Sequence, residues 1–389
     1  MSAGQPLKVT ICGAGRTGHL AAVLFGQRPD VEVTLLSGQT GIPALYRNSG
    51  ARLRARLPDG SELTSTPACV TANPEEGCRD ADIAIVTAPS HARERVLQSL
   101  APALPRHKPV FVGAIPGFNG FDWLAERWLG HLGNVVLWGM KDVPHIAFDL
   151  KPGRSVRLGG AKSQLYVATH RRQTREQAEM LLSHLRRLYQ APVSLLHDYL
   201  EITLTPGNPI MHSAVIYGLI GPWGQWHNHA FSHIPCWWND CPELGAYFLA
   251  RCDAENQALC RAAETTLGID LSSVQPLLQE IVEAYGEQIA DRRTLLSTLR
   301  TNRAYHGISL PLLPQDGTAG YQFDRQHRVF QEDIACGLGL LVALGDRLRV
   351  PVPQMREIFL WCRDYMGNAP PHVSLPDEWP LQEAAASCV

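Results

Sequence analysis

The apolar positions in the first half of the chain fall into short runs that are separated by helical stretches and turns. Runs rich in β-branched residues cover 7–12 (LKVTIC), 31–36 (VEVTLL), 82–87 (DIAIVT), 109–113 (PVFVG) and 135–138. Short apolar runs between turn residues are typical of buried strands. Strands that alternate with helices form parallel sheets covered by helices. The first half is therefore predicted to be an α/β domain.

Further segments extend this first domain. Residues 156–158 and 164–168 are predicted to be shorter, antiparallel strands. Thr174 and Gln177 have the spacing of a capping box, and apolar residues then recur at helical intervals and end before Pro192. We expect this helix to close the first domain, which is assigned to residues 1–192.

The hydrophobic period becomes helical in the second half. From about Asn208 onward β-branched runs nearly vanish, and apolar residues recur at helical spacing within 274–285 and within 353–366, each stretch ending at a glycine. Residues 193–389 are therefore predicted to form a mostly helical domain.

A glycine-rich turn stands between the first strand and the first helix. Residues 13–18 read GAGRTG, the pattern G-x-G-x-x-G. The first glycine permits a tight turn, the second lets the backbone approach a pyrophosphate, and the third lets the helix pack closely on the strand. The helix N-terminus offers N–H groups to phosphates. We interpret this as a Rossmann dinucleotide-binding domain rather than a structural turn. The predicted cofactor contacts in the turn are Gly13, Gly15, Arg16, Thr17 and Gly18.

The residue after the second strand bears on the choice of cofactor. Enzymes selective for NAD place a carboxylate there to hold the ribose 2′-hydroxyl, but this chain has Ser37. Ser37 and Gln39 can donate hydrogen bonds, and Arg47 lies a few residues on, so a 2′-phosphate is tolerated. The sequence favours NADPH over NADH, although Arg47 can equally be a solvated surface residue.

Two later strands end in loops that belong to the same site. Ala88 and Pro89 follow one strand, and Pro116 follows the next. Ligands of open parallel sheets lie at the carboxyl ends of the strands, so these residues should flank the ribose and the nicotinamide.

The amino-acid composition argues against several classes of binding partner. The chain has 389 residues, 45% of them hydrophobic and 19% charged, as is ordinary for a folded protein. Lys plus Arg total 35 and Asp plus Glu total 37, so there is no basic excess to bind nucleic acid. The ten cysteines lack a C-x-x-C pair, and no apolar run reaches membrane-spanning length. We expect a cytoplasmic protein with reduced thiols and no signal peptide.

Two segments of the second half carry ionisable residues near helix starts. Residues 207–212 (GNPIMH) are predicted to place His212 in the first turn of a helix, and residues 328–333 (RVFQED) precede an apolar helix predicted over 334–344. The spacing G-N-P-x-x-H followed downstream by R-x-x-x-E-D resembles the octopine/nopaline dehydrogenase family, the opine dehydrogenases. Residues 221–226 (GPWGQW) and 299–305 (LRTNRAY) are similar to the bacterial branch of staphylopine, pseudopaline and yersinopine synthases, which make opine metallophores.

The resemblance covers nearly the whole chain and implies an opine dehydrogenase with an N-terminal Rossmann domain and a helical domain. It implies reductive condensation of an α-keto acid, pyruvate or 2-oxoglutarate, with a histidine-derived amine. His212 would be the acid–base residue and Asp333 its carboxylate partner. Arg328 would grip a substrate carboxylate, with Asn208 nearby. Asp142 resembles an acidic position that the metallophore branch uses in catalysis. Relatives in that branch also imply a homodimer.

One histidine- and cysteine-rich stretch invites a metal interpretation. It contains His227, His229, His233, Cys236 and Cys241. This spacing matches no standard zinc site, and the adjacent Trp237 and Trp238 favour packing or a substrate wall. No catalytic metal is predicted, and the hypothesis for this loop is that it borders the pocket of the amine substrate.

Two other functions compete with the opine reaction. Dehydrogenases of the β-hydroxyacid or glycerol-3-phosphate type share the two-domain layout, but they usually present a catalytic lysine, and the last lysine here is Lys162. The third hypothesis is a sensor that binds NADP(H) without turnover. The opine hypothesis requires His212 and Asp333, far apart in sequence, to meet beside the nicotinamide.

Overall fold

The computed structural model describes residues 5–224, 230–317, 319–367 and 375–380. The chain divides into two compact units, Met1–Thr203 and Leu204–Val389. The first unit thus ends after Thr203 rather than at the predicted position 192. The reason is packing, because the last strand of the first sheet lies beyond Pro192, and Tyr199 and Ile202 are buried in the core of this unit.

The first unit contains twelve described strands and seven described α-helices. The strands are β1 (Leu7–Cys12), β2 (Val31–Leu36), β3 (Leu53–Arg56), β4 (Glu62–Ser65), β5 (Cys69–Thr71), β6 (Ile83–Val86), β7 (Val110–Ala114), β8 (Val135–Met140), β9 (His145–Lys151), β10 (Ser155–Ala161), β11 (Leu165–Thr169) and β12 (Val193–Leu195). The helices are α1 (Arg16–Phe25), α2 (Ile42–Asn48), α3 (Pro74–Cys78), α4 (Ser90–Leu100), α5 (Phe121–Leu129), α6 (Arg175–Leu188) and α7 (Leu200–Thr203).

The main sheet has eight strands in the order β12-β11-β8-β7-β6-β1-β2-β5. Strand β1 pairs in parallel with β2 on one side and with β6 on the other. The chain therefore reverses its direction of winding at β1, and the carboxyl ends of β1 and β6 form a topological switch point, where open α/β sheets bind ligands. The predicted α/β fold is confirmed.

Helices cover both faces of this sheet. Along β6, Ile83 and Ile85 belong to one hydrophobic cluster, whereas Ala84 and Val86 belong to the cluster on the opposite face. Such a strand reads as a continuous apolar run because neither of its faces meets water. The capping box predicted at Thr174 is present, and it begins α6.

A second sheet of four strands, in the order β4-β3-β10-β9, was not predicted. The expectation of antiparallel additions is correct for β11, which pairs antiparallel with β8. The strand predicted at 156–158 lies instead in this second sheet, where β10 pairs antiparallel with β9 and parallel with β3.

The second unit is mostly helical, as predicted. Its helices are α8 (Asn208–Ile220), α9 (Glu243–Leu267), α10 (Leu277–Tyr285), α11 (Leu295–Thr301), α12 (Gly339–Leu348) and α13 (Pro353–Tyr365), with 3₁₀ turns at Gly286–Gln288 and Arg303–Tyr305. A small hairpin consists of β13 (Leu312–Pro314) and β14 (Tyr321–Phe323). Helices α8 and α9 cross closely at two glycines, since a Cβ on Gly218 would lie 2.3 Å from the Gly245 nitrogen.

The helix predicted over 334–344 differs from expectation. Residues Phe330–Leu338 form a π-helix, which continues directly into α12. π-Helical turns are rare and are found frequently at functional sites. In the described part of the chain, no helix combines the length and hydropathy that a membrane span requires.

Candidate functional site

The glycine-rich turn has a backbone conformation that requires glycine. Gly13 has φ of 135°, and its N–H donates to the Leu36 carbonyl at 2.9 Å. A Cβ on Gly13 would lie 2.5 Å from Thr87 Oγ1, and one on Gly18 would lie 1.9 Å from the Gly13 carbonyl oxygen. The first and third glycines therefore serve the turn and the close packing of α1 against it.

Gly15 differs from these two glycines, because a Cβ there would meet, apart from its chain neighbours, no atom of the described residues within 4 Å. Helix α1 begins at Arg16 without a side-chain cap and without an acidic residue in its first turn. Arg16 is exposed and Thr17 is half-buried. The first N–H groups of a helix lack intrahelical partners and attract anions. This open, electropositive turn fits the pyrophosphate of a dinucleotide.

A buried side-chain pair supports the same turn, and sequence reasoning missed it. Tyr46 Oη donates to the Ala14 carbonyl at 2.9 Å, and His19 Nδ1 lies 3.0 Å from Tyr46 Oη. Burial lowers the pKa of His19 to about 4 and raises the pKa of Tyr46 to about 12. Both groups are therefore neutral near pH 7.

The residues predicted to face the adenosine ribose lie after β2 and on α2. Ser37 is buried, and its Oγ accepts from the Gln39 backbone N–H at 3.4 Å. Arg47 is exposed but anchored, because its Nη1 donates to the Val70 carbonyl at 2.9 Å. No carboxylate occupies position 37.

The predicted nicotinamide-side residues lie at the ends of two adjacent strands. Ala88 and Pro89 join β6 to α4, and Pro116 follows β7. Because β6 and β7 pair in parallel, both loops leave the same edge of the sheet.

The structure brings His212 and Asp333 together. His212 Nδ1 lies 2.9 Å from Asp333 Oδ2, and their side chains are 15% and 4% exposed. A carboxylate only accepts hydrogen bonds, so Nδ1 carries the proton of the neutral imidazole and Nε2 is left with a lone pair. This is the geometry of an acid–base histidine oriented by a carboxylate. The catalytic roles of both residues stay predictions.

Two tryptophans pack against this imidazole. The Trp237 ring lies 4.5 Å from that of His212, and the Trp238 ring lies 5.4 Å away and nearly parallel to it. Both indoles are buried. The rings fix the plane of the imidazole, and they place an aromatic wall beside the acid–base pair.

The surroundings of Asp333 contain two more features of interest. Its Oδ1 atom is buried and has no hydrogen-bond partner among the described residues. The half-buried His327 has a pKa lowered by burial and then by the charge of Arg328, and the Asp324 carboxylate opposes this shift. Sequence reasoning missed His327.

Arg328 is tied to a carboxylate of its own helical segment. Its Nη1 lies 2.6 Å from Glu332 Oε2, with the arginine side chain 61% exposed and that of Glu332 5% exposed. The buried glutamate thus orients an exposed guanidinium. Asn208 is the first residue of α8 and is half-buried.

Asp142 belongs to the first unit and follows β8. Its carboxylate forms an ion pair with Lys162, which precedes β11, and both side chains are partly exposed. Asp142 is thus held by Lys162 in this structure, and its catalytic role stays a prediction.

The histidine- and cysteine-rich stretch lies partly outside the described residues, which exclude His227 and His229. Of the rest, His233 Nδ1 lies 3.2 Å from Ser232 Oγ, and the buried Cys241 has a pKa raised by burial to about 12. Within the described ranges, no group of three or more His, Cys, Asp or Glu side chains is arranged to hold a metal ion.

Comparisons with known proteins bear on both units. The family described as NAD/NADP octopine/nopaline dehydrogenase, alpha-helical domain, matches residues 195–366. An uncharacterised protein of Sinorhizobium fredii, y4xO, is 51% identical over 96% of this chain and 99% of its own length. The octopine dehydrogenase of Mizuhopecten yessoensis is 28% identical, over 93% of this chain and 90% of its own.

Solved structures of opine dehydrogenases are also similar to this chain. Octopine dehydrogenase with NADH and L-arginine is 26% identical, with a TM-score of 0.81 over 93% of this chain and 90% of that one. Yersinopine dehydrogenase with NADP⁺ matches at 17% identity, with a TM-score of 0.68 over 100% of this chain and 98% of that one, which shows a shared fold. The helical-domain match and these similarities along the whole chain show that the chain belongs to the octopine/nopaline dehydrogenase family, whose members are NAD- or NADP-dependent oxidoreductases.

Proposed function

We propose that this protein is an NADPH-dependent opine dehydrogenase that joins an α-keto acid to the amino group of a second substrate. The observation that carries the proposal is the hydrogen-bonded pair of the half-buried His212 and the buried Asp333 in a helical domain of this family. An oriented imidazole suits a reaction in which protons move to and from both oxygen and nitrogen.

The overall reaction has three chemical steps. The neutral amine adds to the keto carbonyl and forms a carbinolamine, which loses water to give an imine. Because the hydroxyl leaves as water after protonation, the imine is formed in its protonated state, and its carbon then receives a hydride while the nitrogen keeps its proton as a secondary amine. NADPH, held at the glycine-rich turn, supplies that hydride when bound.

His212 serves the proton transfers of these steps. Its Nε2 lone pair accepts a proton from the ammonium group of the amine substrate, which frees the nitrogen lone pair for attack, and the resulting imidazolium later protonates the departing hydroxyl. Asp333 holds the ring in this tautomer through Nδ1 and stabilises the transient positive charge.

Arg328 is proposed to bind a substrate carboxylate. The contact with Glu332 uses one N–H of the guanidinium, whose other donors are available in a fixed plane. Asn208 is proposed as a second substrate contact. Asp142 is kept as a proposed catalytic residue of the keto acid step, where it would have to act from its ion pair with Lys162.

NADPH is the proposed cofactor because position 37 is a serine and Arg47 lies nearby. A comparison of kcat/KM for NADPH and NADH tests this choice. Arg47→Ala should weaken NADPH more than NADH, because only NADPH carries the 2′-phosphate. Preference for NADH in the unaltered protein would contradict the proposal.

A more specific part of the proposal concerns the identity of the amine substrate. The resemblance to the metallophore branch implied a histidine-derived amine and a metallophore product, whereas the relatives reported above include octopine dehydrogenases, one of them solved with L-arginine. Both amine classes therefore belong in one assay, each with pyruvate and with 2-oxoglutarate.

We further propose that the enzyme is cytoplasmic and that it forms a homodimer. Light scattering of the purified protein tests the homodimer.

The decisive experiment follows NADPH absorbance in the purified enzyme with each amine and keto acid, alone and together. Oxidation that needs both substrates supports the opine reaction, and His212→Ala should abolish it, whereas the exposed His306→Ala should not. Oxidation with a carbonyl compound alone favours a hydroxyacid or glycerol-phosphate type of dehydrogenase. Binding of NADPH without turnover favours a sensor.

A further inference from the structure

We propose that Arg93 and Tyr199 are positioning residues for the nicotinamide half of the dinucleotide. They fix the loop that follows β7, which is predicted to flank the nicotinamide. The inference rests on the proposed cofactor binding and goes beyond it, because neither residue carries a signal in the sequence and neither belongs to the glycine-rich turn.

Three successive carbonyl oxygens of this loop each accept a hydrogen bond from a buried side chain. The Pro116 oxygen accepts from Arg93 Nη2 at 2.7 Å, and the Phe118 oxygen accepts from Arg93 Nη1 at 2.6 Å. The Gly117 oxygen, between them, accepts from Tyr199 Oη at 3.0 Å. Surface loops usually leave such groups to water. This loop therefore takes its shape from the protein before any ligand binds.

Arg93 joins two loops at once. It lies on α4 and is only 1% exposed, and its Nε also donates to the Ala88 carbonyl at 3.4 Å. The Phe118 and Phe121 rings lie 5.8 and 5.7 Å from its guanidinium carbon. Because a guanidinium is planar and its donors form a rigid fork, it fixes the loop after β6 relative to the loop after β7.

Tyr199 reaches its acceptor through a gap that two glycines leave. A Cβ on Gly139 would lie 2.0 Å from Tyr199 Oη, and one on Gly117 would lie 2.7 Å from it. Burial raises the pKa of Tyr199 well above its ordinary value, so the phenol remains a hydrogen-bond donor. The hydroxyl thus links the loop after β7 to the end of β8.

These contacts lie at the same edge of the sheet as the glycine-rich turn. Thr87, which precedes Ala88, packs against Gly13, and the strands β1, β6, β7 and β8 are neighbours in the sheet. A pyrophosphate bound at the N-terminus of α1 places the rest of the cofactor along this edge, toward the loops after β6 and β7. The two side chains therefore act on the nicotinamide half of the cofactor and not on its adenosine half.

The experiment measures equilibrium binding by the full chain and so does not depend on turnover. NADPH fluorescence gives Kd for the whole cofactor, and competition with 2′-phospho-ADP-ribose gives Kd for a fragment that lacks nicotinamide. Arg93→Lys and Tyr199→Phe should each raise Kd for NADPH by about two- to tenfold, as expected for lost hydrogen bonds. Kd for the fragment should change less than about twofold.

Matched controls separate this effect from a general loss of structure. Arg95→Lys changes an exposed arginine of the same helix, and Tyr166→Phe changes an exposed tyrosine of β11; neither should alter either Kd. If Arg93→Lys does not fold, Tyr199→Phe, which removes one oxygen atom, carries the test. Equal weakening of both ligands, or of neither, would overturn the inference. If the unaltered protein binds neither NADPH nor NADH, the proposed function itself fails.

Discussion

His212 Nδ1 and Asp333 Oδ2 lie 2.9 Å apart, although 121 positions of sequence separate the two residues. One residue comes from the start of α8 and the other from the π-helix, so packing of these two elements creates the pair. The remaining imidazole nitrogen is the atom available for chemistry, and the flanking indole rings restrict its orientation.

The first prediction concerns this pair. Asp333→Asn keeps the size of the side chain but removes the charge that stabilises the imidazolium, so kcat should fall by about 100-fold or more. NADPH binding should stay unchanged, because the glycine-rich turn is untouched. Steady-state kinetics and a fluorescence titration measure the two quantities. A variant that retains half of the unaltered kcat would remove Asp333 from the mechanism.

The second prediction contrasts two glycines of the turn. Gly15→Ala adds a methyl group where, apart from its chain neighbours, no atom of the described residues lies within 4 Å, so the melting temperature should not change while Kd for NADPH rises at least about tenfold. Gly18→Ala places its Cβ against the Gly13 carbonyl, so it should lower the melting temperature by several degrees. Calorimetry and titration distinguish the two. Unchanged binding in Gly15→Ala would place the pyrophosphate elsewhere.

The third prediction separates two roles of Arg328. Arg328→Met removes an ion-pair partner of the buried Glu332, so the free energy of unfolding should fall by about 1–2 kcal/mol. The same change should raise KM for the keto acid by about 10- to 100-fold, because a charged contact to its carboxylate is lost.

The double variant Arg328→Met/Glu332→Gln provides the control. It neutralises the buried carboxylate, so it should recover most of the stability and none of the affinity for the keto acid. Denaturant titrations and steady-state kinetics give both values. Recovery of keto acid affinity together with stability would mean that Arg328 is a structural residue only.

The fourth prediction is a pH dependence of stability. Burial, and then the charges of Arg172 and Arg171, lower the pKa of His170 from 6.5 to about 4. Between these values the unfolded chain binds a proton that the folded chain does not, so this residue makes stability rise with pH from about 4 to 6.5, by about 1 kcal/mol per pH unit. The benefit is complete above pH 6.5 and is lost as the pH falls.

Urea titrations across that pH range measure the slope. His170→Gln should reduce it, whereas His131→Gln, on the exposed surface, should leave it as it is. An identical slope in the His170 variant would show that folding does not lower the pKa of this imidazole.

The sequence predicted those elements best where local chemistry and tertiary packing agree. The strands predicted at 7–12 and 31–36 match β1 and β2 residue for residue, because each is a buried apolar run bounded by turn residues. The capping box at Thr174 is equally local. By contrast, β3 was overlooked, although its letters LRAR alternate between buried and exposed positions in the way a half-buried strand does.

The candidate site was predictable only in part. A family resemblance pointed to His212 and Asp333, but nothing local in the sequence pairs residues so far apart. Arg93 reads as an ordinary polar residue of an exposed helix, and its burial depends on carbonyl groups of a loop more than 20 positions away. Trp237 and Trp238 suggested packing or a substrate wall, but the sequence did not predict that their rings contact the His212 imidazole.

The π-helix at Phe330–Leu338 constrains how this sequence can vary in length. Its hydrogen bonds span one residue more than those of an α-helix, so Asp333 and the apolar face of α12 are offset in phase by about 100° from an uninterrupted α-helical ladder. Loss of a single codon in this stretch would let the ladder revert to the commoner form. Because the shortened ladder would span the same turn with one residue fewer, Asp333 would keep its phase relative to α12, whereas reversion at unchanged length would turn the carboxylate away from its imidazole.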